Sequence, residues 1–507
     1  CSDLAQALCA AAGDVGASAC VVGSERDSAG AGLDTYVIHD PQYPDLDAEA
    51  AVAEVAMFFS ERAWWRGVKE GVTDYWLVTV AGEAVLPSDA PPSLLPAAAS
   101  AGFRCVGAKY PGTRFRHLDL PAGSSSTAGA SPATAVSIVA ALHTAHESEL
   151  AIRDGVLYAK RVIESELSAT DSNAAPAEHV LLVGGTGKLG LEFCQHFARA
   201  GTERITLVNR SGETNGVADR LQSIRAATST DIRVVACDLT DRAAVASLAQ
   251  QGPPADLIIH AAVEYSGVEL EDITAEIVDQ ALQAKVVGIA RVLETYPRAE
   301  NCPVVLCSSV SATVGGRGLA LYAAGNRMLD AMAYRLRSIG VKCVSVQWGH
   351  WKVHLDDSGL TMLNGLGVVP MQPADALAVG TQELSHNAIV AAFDLDRARS
   401  VLETCGRGSL LSQLSAAPVR PPSGIEAQPH AEETGVSRRL VDLLAQAIGV
   451  EGGDLIDTSV PMVTIGLDSL QALEFRRRVK VELNYDLEVA DLLGGASIAE
   501  VLAKLET

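Results

Sequence analysis

The chain has 507 residues, 48% of them hydrophobic, enough for roughly three domains with sizeable cores. Its net charge of −23 argues against nucleic acid as a partner, because tracking a phosphate backbone needs a basic excess. No apolar run reaches the about 20 residues that cross a bilayer, and no basic-then-apolar start resembles a signal peptide, so no membrane partner is expected. Starting at Cys1 inside a predicted helix, the chain reads as a piece of a longer polypeptide.

The first series of elements comprises strands at Ala19–Gly23 and Tyr36–His39, a helix near Ala48–Arg66, and strands at Tyr75–Val80, Gly102–Val106 and Arg116–Leu120. Gly123–Pro132 is Ser/Ala/Gly-rich and reads as a surface loop. A polar, Ala/Ser-rich stretch at Ala169–Ala177 precedes the second series. Its strands are His179–Val183, Ile205–Val208, Arg233–Ala236, Leu257–His260, Val304–Cys307 and Cys343–Gln347. Strands alternating with helices predict two α/β units with parallel sheets, of Rossmann type.

Only the second unit has a glycine-rich turn after its first strand: Gly184, Gly185, Thr186, Gly187, Lys188, Leu189 and Gly190. Glycines at 184, 187 and 190 permit a tight turn that brings backbone N–H groups against a diphosphate at a helix start. The first unit has Gly23-Ser-Glu-Arg-Asp27 after its opening strand instead, and reads as a nucleotide-free structural brace. The next strand of the second unit ends in Asn209-Arg210-Ser211. An arginine and a serine there suit the 2′-phosphate of NADPH, where an acid would favour NAD. Asp238 and Leu239 close the third strand, with Asp238 set to meet the adenine edge.

The ten cysteines include no Cys-x-x-Cys pair, and Cys194 and Cys237 lie in apolar segments. This fits buried, reduced thiols and a cytoplasmic location. The pairs His143/His146 and His350/His354 have no obvious third ligand, so no metal site is expected. Ala416–Thr434 is Pro-rich and acidic and reads as a tether. Beyond it, Leu440, Leu443, Leu444 and Ile448 share one helical face, as do Ala472, Phe475, Val479 and Leu483, and Ile498, Val501, Leu502 and Leu505. These predict a small all-α bundle with Ser469, in Gly466-Leu467-Asp468-Ser469-Leu470, at the start of its second long helix.

Residues 435–507 resemble the acyl carrier protein family, which implies that a phosphopantetheinyl transferase attaches 4′-phosphopantetheine to Ser469. Lys285, Ser309, Tyr322 and Asn326 behind the glycine turn resemble the short-chain dehydrogenase/reductase superfamily. Most of that superfamily has its lysine one helical turn after the tyrosine; here Asn326 stands there and the lysine comes earlier. That exchange, with Gln347–Trp351 after the last long strand, is similar to the ketoreductases of type I modular polyketide synthases. The resemblance implies residues 1–170 as a structural Rossmann-like half, 171–415 as the catalytic half, 416–434 as linker and 435–507 as carrier. It implies NADPH-dependent reduction of a β-ketoacyl thioester on the chain's own carrier, with upstream ketosynthase and acyltransferase domains as partners. The cofactor site would also take in His260, Ala261 and Ala262.

In that chemistry Lys285 supplies the cation that lowers the Tyr322 phenol, Ser309 donates to the ketone oxygen, and Asn326 holds Lys285 or a relay water. The chain departs from the family at Val183, where a threonine is usual. His260–Gly267 lacks the Leu-Asp-Asp signature of D-hydroxyl formation, and Val314 is not the tryptophan of the opposite class. The missing acids imply an L-hydroxyl product. Two other readings stay open: a silent scaffold in which the carrier serine alone functions, and an α-ketoacyl reductase of peptide-synthetase type. No Gly-x-Ser-x-Gly elbow is present, which speaks against a thioesterase or acyltransferase in this chain.

Overall fold

The computed structural model describes residues 3–21, 33–40, 43–65, 67–69, 71–110, 112–124, 132–165, 177–263, 267–353, 363, 366–382, 385–415, 435–448, 458, 462, 467, 469–483, 485–487, 492 and 496–505. Among them no helix is long and apolar enough to cross a membrane.

After helix α1 (Asp3–Asp14), the first unit is built on strands β1 (Thr35–His39), β2 (Asp74–Val80), β3 (Arg114–Leu120), β4 (Glu149–Arg153) and β5 (Val156–Ala159). They lie side by side in sequence order, parallel as far as β4, with β5 returning antiparallel. Helices α2 (Ala48–Glu61), α3 (Leu94–Gly107) and α4 (Pro132–Leu142) connect them.

The second unit runs β6 (His179–Val183), α5 (Lys188–Arg199), β7 (Arg204–Asn209), α6 (Asn215–Ala227), β8 (Asp231–Ala236), α7 (Arg242–Gln251) and β9 (Leu257–His260). It continues through α8 (Ala275–Leu282), a π-helical turn (Gln283–Val287), α9 (Gly288–Thr295), β10 (Val304–Ser309), α10 (Ser311–Val314), α11 (Ala320–Ser338) and β11 (Cys343–Trp348). A short antiparallel pair, β12 (Val368–Val369) and β14 (Ala392–Phe393), flanks β13 (Ala388–Val390). The seven parallel strands lie in the order β13-β11-β10-β9-β6-β7-β8. The order reverses between β6 and β9, and such a switch point opens a crevice at the carboxyl ends of the strands.

One apolar cluster joins the two units. It takes in Phe59, Leu95 and Phe103 from the first and Leu181, Leu306, Leu321 and Met328 from the second. α3 and α11 pack together, and both bury small residues, Ala97–Ala99 and Ala101 on one and Ala320, Ala323 and Ala324 on the other. A separate cluster holds Leu440, Leu443, Leu444, Ala472, Phe475, Val479, Ile498 and Val501. It is formed by helices Gly435–Ile448, Ser469–Leu483 and Ile498–Leu505, which matches the predicted bundle and its apolar faces.

Three expectations are corrected. Gly102–Val106 is not a strand but the end of α3, whose residues are buried on every side, so no polar face shows its helical period. Ala19–Val21 forms no strand; it is exposed and pairs with nothing among the described residues. The helix expected to reach Arg66 ends at Glu61. Arg62 there turns left-handed, φ 52°, and gives its guanidinium to the carbonyls of Leu270 and Glu271, both at 2.8 Å. Val22–Asp27, most of the Gly123–Pro132 loop, the 169–176 junction, His354, the tether, Gly466 and Asp468 lie outside the described residues.

Candidate active site

Gly184 leaves β6 at φ +77°, and a Cβ there would meet the Ala262 amide nitrogen at 2.5 Å. A Cβ at Gly190 would meet the Gly184 carbonyl oxygen at 2.4 Å. The turn therefore closes on itself with room for hydrogen only. Gly187 caps α5 without a side-chain bond, which leaves the first-turn amides facing the crevice. Gly184, Gly187, Lys188, Leu189, Asn209, Arg210, Ser211, Asp238, Leu239, Ala261 and Ala262 line one end of a cleft of about 990 Å³. Gly185, Thr186 and Gly190 shape the turn from behind. Arg210 is exposed and forms no ion pair among the described residues. Asp238 caps its own turn, accepting from the Thr240 N–H at 2.9 Å and hydroxyl at 2.7 Å, and these bonds hold its carboxyl below the usual range. The volume and the open helix start fit a dinucleotide.

Lys285, Ser309 and Tyr322 line the other end. Lys285 sits in the π-helical turn, with its side chain buried and its carbonyl within reach of β9. His260 takes that carbonyl through Nε2 at 2.7 Å. The imidazole is fully buried and is not among the residues lining the cleft. Burial first, and then the Lys285 charge, hold it down at about 3, so it stays neutral. Lys285 Nζ is 5.4 Å from the centre of the Tyr322 ring and has no hydrogen-bond partner among the described residues. Burial pushes its ammonium down to about 8, against the opposing influence of Cys307 and Asp330. Ser309 Oγ accepts from the Ser311 N–H at 3.2 Å, which leaves its own proton to donate. Asn326 does not reach the cleft. It is fully buried, its Nδ2 donates to the Tyr322 carbonyl at 2.9 Å, and its Oδ1 has no partner among the described residues. Helix Ser469–Leu483 starts at Ser469 as predicted; the serine side chain lies outside the described residues.

Residues 179–353 match the family described as KR domain, and residues 438–505 match the phosphopantetheine attachment site family. The chain joins a KR domain to a phosphopantetheine-attachment domain and is homologous to type I modular polyketide synthases. The chain is 31% identical over 390 residues to erythronolide synthase EryA3 of Saccharopolyspora erythraea, covering 74% of this chain and 12% of that protein. It is 30% identical over 442 residues to the pikromycin polyketide synthase component PikAIII of Streptomyces venezuelae, covering 79% of this chain and 28% of the relative. The chain thus spans a minor part of these relatives. Among solved structures it is similar to the ketoreductase from the first module of phoslactomycin biosynthesis in Streptomyces sp. HK803, with 28% identity, a TM-score of 0.61 and coverage of 73% of this chain and 85% of that one. A structure of A-type ketoreductases from a modular polyketide synthase gives 28% identity, a TM-score of 0.60 and coverage of 68% and 74%.

Sequence reading missed several parts of the ketoreductase site. Val310, Ser311, Gly315, Gly316 and Leu319 form the wall between Ser309 and Tyr322, and Gln280 and Gln283 line the opposite side. Behind Asn326, on α11, Asp330 is fully buried and accepts from Ser345 Oγ at 2.6 Å and Gln347 Nε2 at 2.7 Å. An acid in the middle of an apolar helix was the available signal for that network.

Proposed function

We propose that this chain reduces a β-ketoacyl thioester to the β-hydroxyacyl thioester with NADPH, the acyl group being carried on a phosphopantetheine arm at Ser469. The observation that carries the reading is the buried ammonium of Lys285 beside the Tyr322 ring, with Ser309 in the same cleft and a dinucleotide-type turn at its far end. NADPH supplies the hydride; the rest of the work falls to the chain. Amides of the Gly184–Leu189 turn and the Arg210 guanidinium hold the phosphates. Ser309 donates to the ketone oxygen, where negative charge grows. Lys285, charged at neutral pH, favours the phenolate of Tyr322, so the phenol gives up its proton to that oxygen. Asn326 Oδ1, an acceptor with no partner among the described residues, would accept a hydrogen bond from the Lys285 ammonium or from a relay water that returns the proton to the site.

The carrier raises the local substrate concentration to about the millimolar range, so weak intrinsic binding suffices. Upstream ketosynthase and acyltransferase domains supply the chain, and a phosphopantetheinyl transferase installs the arm. The test is to load the holo-carrier with a β-ketoacyl group, add NADPH and weigh the intact protein. The acyl adduct should gain one hydride and one proton as NADPH absorbance falls; an unchanged adduct sinks the proposal.

A further inference from the structure

Val310, Ser311, Val314, Gly315 and Gly316 form the cleft wall that links Ser309 to the segment before Tyr322. α10 at its centre is a single turn, too short to satisfy its own last carbonyls. Two guanidiniums from remote elements take them. Arg104 on α3 donates from Nη1 to the Ala312 carbonyl at 2.7 Å, and Arg407 donates to the Val314 carbonyl at 2.8 Å. Both arginines are buried, 2% and 3% exposed. Arg104 is locked by a two-pronged pair with Glu149 of β4, Nε to Oε1 at 2.5 Å and Nη2 to Oε2 at 2.9 Å, and His117 Nδ1 lies 3.3 Å from that carboxylate. Gly315, at φ +73°, lies against both: a Cβ there would be 3.0 Å from Arg407 Nη1 and 3.3 Å from Arg104 Cγ. Neither arginine lines the cleft.

We infer that Arg104 and Arg407 are positioning residues that fix the Val310–Gly316 wall beside Ser309, so that the first sheet helps select which face of the ketone is reduced. The inference rests on the ketoreductase reading proposed above. The wall and the Ser309 hydroxyl move together, because Val310 joins them covalently and the Ser311 N–H holds Ser309 Oγ. Charge-assisted donors aimed at helix-end carbonyls are the strong kind of hydrogen bond, and both are shielded from water. The first unit thus reaches the substrate through Glu149, Arg104 and the α10 carbonyls, although none of its described residues lines the cleft.

The test uses the full chain and a diffusible probe, the 2-methyl-3-oxopentanoyl thioester of N-acetylcysteamine. Arg104→Met strands the buried Glu149 carboxylate and risks unfolding, so Arg407→Met, which breaks no ion pair among the described residues, is the primary variant. Losing one charge-assisted bond predicts an about tenfold fall in the ratio of product stereoisomers and a raised KM, with NADPH affinity kept. Amide exchange across 310–316 should quicken by about the same factor. Arg407→Lys, which keeps a cationic donor, should restore most of both. A folded Arg407→Met protein with wild-type product ratio and wild-type exchange overturns the inference. If wild-type protein oxidises no NADPH with any ketone, the ketoreductase reading fails instead, and exchange at 310–316 alone then decides whether the arginines hold the wall.

Discussion

Replacing Lys285 with methionine removes a charge that the fold keeps out of water while retaining most of the aliphatic stem. Burial pushes the Lys285 ammonium from 10.5 down to about 8. That difference corresponds to about 3 kcal/mol of folding free energy held against the charged form. At pH 7 the lysine is protonated in both folded and unfolded chains, so the whole penalty is present. Between about 8 and 10.5 the folded protein sheds its proton first and the penalty shrinks; above 10.5 it is gone. Lys285→Met should therefore be the more stable protein at pH 7, by up to about 3 kcal/mol, with an advantage that fades as pH rises to 10. Turnover should fall by about 10²-fold or more, because the Tyr322 phenol loses its neighbouring cation. All five tryptophans precede residue 352, so their fluorescence in urea reports on the ketoreductase and not on the carrier. A methionine variant that unfolds earlier than wild type at pH 7, or whose advantage is the same at pH 7 and 10, refutes the reasoning.

Tyr322→Phe should cut turnover about 10²-fold with NADPH affinity nearly unchanged, since the proton donor goes and the ring stays; wild-type turnover removes Tyr322 from the mechanism. Arg210→Ala should weaken NADPH by about one to two orders of magnitude and leave NADH almost untouched. Equal loss for both cofactors in titrations at one salt concentration places the phosphate pocket elsewhere. Ser469→Ala, coexpressed with a phosphopantetheinyl transferase, should show no phosphopantetheine increment by intact mass while its helical circular dichroism persists. A modified variant ends the assignment of that serine.

The second unit was legible because its strands carry local punctuation. β6 runs into Gly184, β7 into Asn209-Arg210, and β9 into His260, each a short apolar run with its own stop. The proposed catalytic residues were legible as a set of types, but their geometry was not. The π-helical turn under Lys285 leaves no mark in composition, and its hold by His260 is a contact across 25 positions. The β4–β5 hairpin escaped notice although Asp154-Gly155, at φ 52° and 77°, is a familiar two-residue hairpin turn. Its flanking strands are short, and Arg153 interrupts the apolar run with a charge that is satisfied only in three dimensions, by Asp119 Oδ2 at 2.6 Å and Asp89 Oδ2 at 2.8 Å. Arg104 is the extreme case, a guanidinium inside an Ala-rich helix whose two partners, Glu149 and the Ala312 carbonyl, lie 45 and 208 positions away.

The shared apolar cluster constrains how such chains can be inherited. Phe59, Leu95 and Phe103 share one core with Leu321, Met328 and Leu329, so a crossover through 166–176 would pair faces shaped by different histories. Gly102 tightens the requirement: a Cβ there would come within 2.2 Å of the Phe59 ring and 3.3 Å of the Ala320 carbonyl oxygen, so even one methyl group disturbs the seam. Recombination that trades reductases between assembly lines should therefore carry both α/β units as one segment, with surviving breakpoints gathered outside the seam, for example in the Pro-rich sequence before residue 435.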